Sequence, residues 1–317
     1  GVQWGCIGKL IHKKLRLMYG MVLDSEIDVV LDASGFSYSE QFGNGNSLEA
    51  AKSIKRWKKQ GTKVVFMPQA FGPFKSPKAR RAFRKVAESA DLMFPREELS
   101  YKHITDLTGK RDNIKMAPDF TNLVSGEFPE DFNALANRFC IIPNYHMIDK
   151  TEENTSSKYI PFLVTCARYL QDRHARPFIL IHEGKKDLWL GQQVAKRLDH
   201  EINIVWETNA LRSKGIIGAS EGVISSRFHG LVSALSQGIP ALATGWSHKY
   251  ELLFQDYDFP EGMFSVGSNQ QRIKSKIDLL LSESARENLR KNLQKAADIQ
   301  KQAALRMWDD IFALIRQ

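Results

Sequence analysis

Short, almost wholly apolar runs alternate with amphipathic helical stretches along most of this chain, and the series runs twice. In the first half the runs are IDVVLDA (27–33), KVVFMPQ (63–69), DLMFP (91–95) and NIKMAP (113–118). Helical patterns separate them. One, SLEAAKSIKRWKKQ, is stopped by Gly61, and another is opened by Pro77, the residues best suited to those two positions. The series breaks over FTNLVSGEFPEDFNALANR, which reads as an inter-domain connection. It then resumes with FCIIPN, PFILIHEG, INIVWE, GVISS and PALATG, again with helices between. From about Gln270 the pattern is helical to the end, with a break near Ser282–Ser284. Strands without polar alternation are buried on both faces, so the pattern predicts two doubly wound parallel-sheet α/β domains facing a cleft, with C-terminal helices. The predicted domains are 1–123 and 124–317.

Composition agrees and excludes some classes. The chain has 317 residues, 43% of them hydrophobic, enough to bury two cores. No run approaches the ~18 apolar residues of a membrane span. The opening GVQWGCIGKLIHKK has no sustained apolar core of a secretory leader and no initiating Met, so an N-terminal piece is expected to be missing. The formal net charge of +9 favours anionic partners: nucleic acid, an acidic membrane surface or a phosphorylated small molecule. Most of the Lys and Arg residues fall in SIKRWKKQ and PKARRAFRK-like stretches, which read as solvated helix faces. No zinc-finger or RNP-like signature is present, so no nucleic acid is expected. Cys6, Cys140 and Cys166 are odd in number and include no CxxC, which fits a reducing compartment. No HExxH or similar pair occurs, and no metal is predicted.

In doubly wound sheets ligands bind beyond the carboxyl ends of the strands. Those positions carry SGFSYSEQFGNG after 33, Gln69, Arg96 beside Glu97, and Asp119 in the first half. In the second half they carry Asn144, His182-Glu183, Glu207, Arg227-Phe228-His229 and Trp246-Ser247-His248-Lys249. Arg227 and Lys249 sit where strands turn into helices, and a cation at a helix N-terminus is disfavoured by ~0.3–1 kcal/mol. An anion bound at the turn would reverse that penalty, since the free N–H groups there attract anions too. The competing reading pairs Arg227 with a carboxylate such as Asp119 or Glu183 and makes His229 a satisfied core histidine.

The residues at these turns resemble one family. SSRFHGLVSALSQGIPALATGWSHKYELL looks like the signature of the polysaccharide pyruvyl transferases: Arg-x-His at a strand–helix turn, a small-residue helix, Gly-x-Pro, then Lys. MPQAFGPF (67–74) is similar to the family's Gln-x-x-Gly-Pro segment, PREELSYKHI (95–104) to its Arg-(Asp/Glu)-x-x-Ser element and APDF (117–120) to its Pro-Asp. The resemblance covers about 30–255. It departs where DASGF replaces a run of glycines, and where the family's first strand and Gly-Asp loop would precede the start of this chain.

The resemblance implies two Rossmann-like halves of GT-B type and transfer of pyruvate from phosphoenolpyruvate to a sugar as a ketal. Phosphoenolpyruvate carries a phosphate and a carboxylate, so two cationic anchors are expected, Arg227 and Arg96, each binding in a bidentate fork. Lys249 adds a point charge, with Gln69 and His248 as further substrate contacts. His229 is the candidate proton donor to the methylene carbon, or else a hydrogen-bond donor to the phosphate. Asp32, Glu40 and Asp119 are candidates for the base that accepts a hydroxyl proton. No cofactor is implied. The partners are phosphoenolpyruvate and a saccharide acceptor, lipid-linked acceptors included, with a cytoplasmic location that admits the inner face of the membrane. Two other readings stay open: a GT-B nucleotide-sugar glycosyltransferase and a non-catalytic glycan-binding module.

Overall fold

The structure is a computed structural model and describes residues 10–40, 43–245 and 247–316. Cys6 and Trp246 lie outside the described residues. The chain forms two compact units. One comprises the residues up to Phe120 together with those from Ala303 onward; the other is Thr121–Gln302.

In the first unit, β1 (Val29–Asp32), β2 (Lys63–Gln69) and β3 (Leu92–Pro95) form a parallel sheet in the order β1-β2-β3. A short helix α1 (Lys13–Met18) precedes it, and α2 (Gly45–Lys58), α3 (Pro77–Ser89) and α4 (Glu98–Thr108) make the crossovers. Successive strand residues point to opposite faces, and here each face has its own core. Val64, Phe66 and Met93 pack with Ile54, Phe83, Val86 and Ile104 from the helices on one side. Val65, Met67, Leu92 and Phe94 pack on the other side with Met307 and Ile311. The second face is thus covered by the end of the C-terminal helix. The expected division at 123/124 assigned all C-terminal helices to the second half, whereas the last turns pack on the first sheet.

The expected strand over 113–118 is reduced to a single bridge, Met93 to Ile114. Backbone bonds from Lys115 to Met93 O and from Ala117 to Pro95 O keep the segment alongside β3. Pro95 of β3 has no N–H to donate to Lys115 O, the bond that would continue that pairing.

In the second unit, β4 (Phe139–Ile142), β5 (Phe178–Ile181), β6 (Asn203–Trp206), β7 (Gly222–Ser225) and β8 (Ala241–Ala243) form a parallel sheet in the order β6-β5-β4-β7-β8. Alternation again sorts side chains between two cores. Cys140, Ile142, Phe178, Leu180 and Val223 face one core, and Phe139, Ile141, Ile179, Ile181 and Ile224 the other. The first is covered by α8 (Ala210–Gly218), α9 (Phe228–Leu235), α10 (Lys249–Asp256) and the early turns of α12 (Glu283–Ile315). The second is covered by α6 (Glu153–Asp172), α7 (Lys185–Ala195) and α11 (Gln270–Leu281), with the short α5 (His146–Asp149) after β4. The helical break expected near Ser282 falls there, between α11 and α12.

Candidate functional site

The strand order of the second sheet reverses between β4 and β7, which places the ligand crevice of this fold beyond their carboxyl ends. The backbone there is rigidly tied. Asn144 donates through Nδ2 to Ser226 O at 2.7 Å, and the Tyr250 hydroxyl donates to the same oxygen at 2.9 Å. The Tyr159 hydroxyl donates to Ser226 Oγ at 2.8 Å and accepts from Asn144 N–H at 3.0 Å. A Cβ on Gly245 would lie 2.3 Å from the Tyr250 ring, so only glycine allows this tyrosine to reach Ser226.

Arg227 is the N-cap of α9. Its Nε donates to Asp187 Oδ2 at 2.8 Å and its Nη2 lies 2.5 Å from the same oxygen. Its Nη1 pairs with Glu183. The two carboxylates differ in one decisive way: the Asp187 side chain is 0% exposed and that of Glu183 is 59% exposed. Asp187 also accepts the Tyr145 N–H at 2.9 Å. Its burial raises its carboxyl pKa, against the pull of Arg227 and that backbone bond. The cation at the helix start is therefore offset by acids from the β5–α7 turn. Of the partners considered for Arg227, Glu183 is one, while Asp119 pairs with Arg96 instead.

Lys249 belongs to the same cluster. It is the first residue of α10, with His248 as N-cap, and its ammonium lies 5.0 Å from the centre of the Phe228 ring and 5.6 Å from that of Tyr250. His229, exposed in the first turn of α9, stands edge-on to Phe228 at 5.7 Å. At the end of β5, His182 is held neutral. Burial, then the charges of His229 and Arg227, lower its pKa to about 4, with Glu183 opposing.

In the first unit the strand ends hold two groups. Asp32 accepts the Tyr38 hydroxyl at 2.5 Å and Ser34 N–H at 3.1 Å, and Gln69 Nε2 donates to its carbonyl at 3.1 Å. Burial, then the Asp32 charge, pushes the Tyr38 hydroxyl pKa up. Arg96, just after β3, donates to Asp119 Oδ2 at 3.0 Å, and both side chains are buried. The Arg96 N–H donates to Gln69 O, which links the two groups. Glu40 accepts the Ser76 N–H at the start of α3. Two motif residues turn out to brace the Gln-x-x-Gly-Pro loop. Ser100 Oγ accepts Phe71 N–H at 2.7 Å, and His103 Nδ1 lies 2.8 Å from Phe71 O. Glu97 accepts the Ser100 hydroxyl.

The family model for polysaccharide pyruvyl transferases matches residues 4–248. The chain belongs to this family. No curated protein matches it. Among solved structures, Alr3699/HepE from Anabaena, in complex with UDP and glucose, superposes with a TM-score of 0.58 at 13% identity, covering 100% of this chain and 84% of that one. A UDP-N-acetylglucosamine 2-epimerase from Listeria monocytogenes, described as putative, gives 0.57 at 14% identity, covering 90% and 74%. The UDP-GlcNAc 2-epimerase of Methanocaldococcus jannaschii, in complex with UDP-GlcNAc and UDP, gives 0.53 at 11% identity, covering 86% and 72%. At these identities the likeness is one of fold: this pyruvyl transferase family member has two parallel-sheet α/β units of the GT-B class. No helix among the described residues is long and apolar enough to cross a membrane.

Asp187 is the residue that sequence reasoning missed. An acid in the first turn of a helix reads as an ordinary complement to the helix dipole. Its position four residues after Glu183, itself at a strand end, was the available signal.

Proposed function

We propose that this protein transfers pyruvate from phosphoenolpyruvate to two hydroxyls of one saccharide, forming a ketal and releasing phosphate. The observation that carries this reading is Arg227. Its Nε–Nη2 edge is fixed by a fully buried carboxylate, and its Nη1 meets an exposed one that an incoming anion can displace. Lys249 and His229 flank the same turn. In this reading Arg227 binds one anionic group of the donor and Arg96 is the anchor for the other, with Lys249, His248 and Gln69 as further contacts. His229 delivers a proton to the methylene carbon, which becomes the methyl group and leaves C2 electrophilic. One sugar hydroxyl forms a C–O bond to C2 and a second closes the ring as the C2–O(phosphate) bond breaks. Of the two hydroxyl protons, one replaces that spent on the methylene and the other leaves with phosphate. Asp32 is preferred to Asp119 as acceptor of the first, because Asp119 is already paired with Arg96. A cytoplasmic site and a lipid-linked acceptor belong to this reading; buried free Cys140 and Cys166 are compatible with it.

The test is phosphate release from phosphoenolpyruvate with a panel of galactosides, glucosides and N-acetylhexosamines, with mass analysis of the products. Thermal melts with phosphoenolpyruvate and with UDP run beside it. A rise in melting temperature with UDP and none with phosphoenolpyruvate would overturn the proposal in favour of a nucleotide-sugar enzyme.

Two substitutions probe the turn. Glu183→Gln should tighten phosphoenolpyruvate binding by up to roughly fivefold, because an exposed competing ion pair is worth about 0.2–1 kcal/mol. Titration calorimetry reads this directly, and weaker binding would make Glu183 a substrate contact. His229→Gln and His229→Ala should both cut turnover by about two orders of magnitude or more while leaving binding of the donor within a few fold. Near-normal turnover in the Gln variant would reassign His229 to phosphate binding.

A further inference from the structure

A cavity of about 240 Å³ opens in the first unit between β1, the loop after it and α2. Its floor is aromatic: Tyr38 and Phe66 are buried, and Trp57 is half-buried. Its rim is polar, with Asp32 at the end of β1 and exposed Asn46 and Glu49 on the first turns of α2. An apolar floor under a few convergent polar groups is the usual make-up of a small-molecule site.

The charge of this cavity is the reverse of that at Arg227. Its described lining includes two carboxylates, Asp32 and Glu49, and no cation. An anionic donor is disfavoured here and a neutral ligand rich in hydroxyl donors is favoured. The Trp57 indole N–H is buried without a hydrogen-bond partner, so an oxygen placed beside it would relieve a standing desolvation cost. Asp32 is held in place by Tyr38 and Ser34, each bonding a different carboxylate oxygen. Oδ1 also accepts from Gln69 Nε2 at 3.3 Å, whereas Oδ2 keeps a second lone pair with which to accept a ligand hydroxyl. Glu49 has only a loose surface pairing, 3.7 Å from Lys52, to surrender. Aromatic faces below, carboxylates and an amide around the rim, and no cation together fit a polyhydroxylated ring.

We infer that this cavity is a saccharide subsite for one neutral sugar unit, with its hydroxyls on Asp32, Glu49 and the Trp57 N–H. The inference rests on the pyruvyl-transfer reading in one respect: it names where that reaction's acceptor docks, with a hydroxyl at Asp32.

The experiment uses the full chain. Methyl glycosides of glucose, galactose and N-acetylglucosamine serve as probes in saturation-transfer NMR, with glucose 6-phosphate as the anionic control. The acceptor and donor KM values come from the phosphate-release assay. Wild type should transfer saturation to at least one neutral glycoside more strongly than to the phosphorylated sugar. Glu49→Ala, an exposed change, should raise the KM of that acceptor on the order of tenfold, the loss of one hydrogen bond to a charged group, with the KM of phosphoenolpyruvate unchanged. Trp57→Phe keeps an aromatic face while removing the N–H and part of the indole, so it should also raise the acceptor KM, with a thermal melt confirming that the variant is folded. Unchanged acceptor KM in both variants, no saturation of any neutral glycoside, or preferred binding of the phosphorylated sugar would each overturn the subsite. If neutral glycosides bind in a Glu49-dependent way and no phosphate is released, the subsite stands and the pyruvyl-transfer reading fails.

Discussion

Arg227→Ala should lower the stability of the folded protein by about 3–5 kcal/mol, the usual cost of stranding one partner of a buried ion pair. The partner left behind is Asp187, whose side chain is 0% exposed and whose remaining bond is to the Tyr145 N–H. Urea titration at neutral pH measures the loss. Lowering the pH should shrink it, because Asp187, whose pKa is already raised by burial, protonates more readily once the guanidinium is gone. The same substitution should weaken phosphoenolpyruvate binding by roughly ten- to over a hundredfold, equivalent to ~1.5–3 kcal/mol for a charge-assisted contact.

A double variant separates the two effects. Arg227→Met with Asp187→Asn removes both charges, keeps an acceptor for the Tyr145 N–H and fills the space of the arginine stem. Most of the stability should return, since a buried ion pair exchanged for neutral groups is often close to neutral in stability. Donor affinity should not return. Recovery of both would mean that Arg227 serves the fold alone, and the proposed anchor would have to be sought elsewhere.

The fold was legible because each strand buried on two faces has to be written as a continuous apolar run. FCII and FILI are such runs, and the structure sends their alternate residues into two separate cores. NIKMAP was misread for the same reason. It has the right residue types, but it lies at the margin of the sheet, and Pro95 of β3 cannot donate the bond that would extend the pairing beyond one bridge. The end of α12 could not be assigned from sequence, since an amphipathic stripe shows that a helix is covered and not which sheet covers it. Met307 and Ile311 turn out to close the open face of the first sheet. The Arg-x-His turn stood out because a cation at a helix start is unfavourable by itself. What balances that cation was not readable. Glu183 and Asp187 come from another turn of the sheet, and nothing local in RFH records the distance to them.

Acid should destabilise the protein between about pH 6.5 and pH 4, and His182 should account for much of the loss. Its folded pKa is about 4, because burial and the neighbouring charges of His229 and Arg227 disfavour the imidazolium. In the unfolded chain an imidazole titrates near its ordinary value of about 6.5. Above pH 6.5 both states are neutral and His182 contributes nothing to the slope. As the pH falls through 6.5 the unfolded state takes up a proton that the folded state refuses, so stability drops until the folded imidazole also titrates near pH 4. A displacement of that size is worth roughly 3 kcal/mol at most. The window is distinct from that of Glu26, whose pKa is held at about 2 by its hydrogen bonds to Arg16 and so matters below pH 4.5. Denaturation midpoints measured from pH 7.5 to 4 should fall steeply in wild type and less steeply in His182→Asn. Phosphoenolpyruvate should flatten the wild-type curve as well, because an anion at Arg227 offsets the repulsion felt by His182. Equal slopes in wild type and His182→Asn would show that the imidazole titrates normally, and that the crevice beside Arg227 is wetter and less positive than its geometry implies.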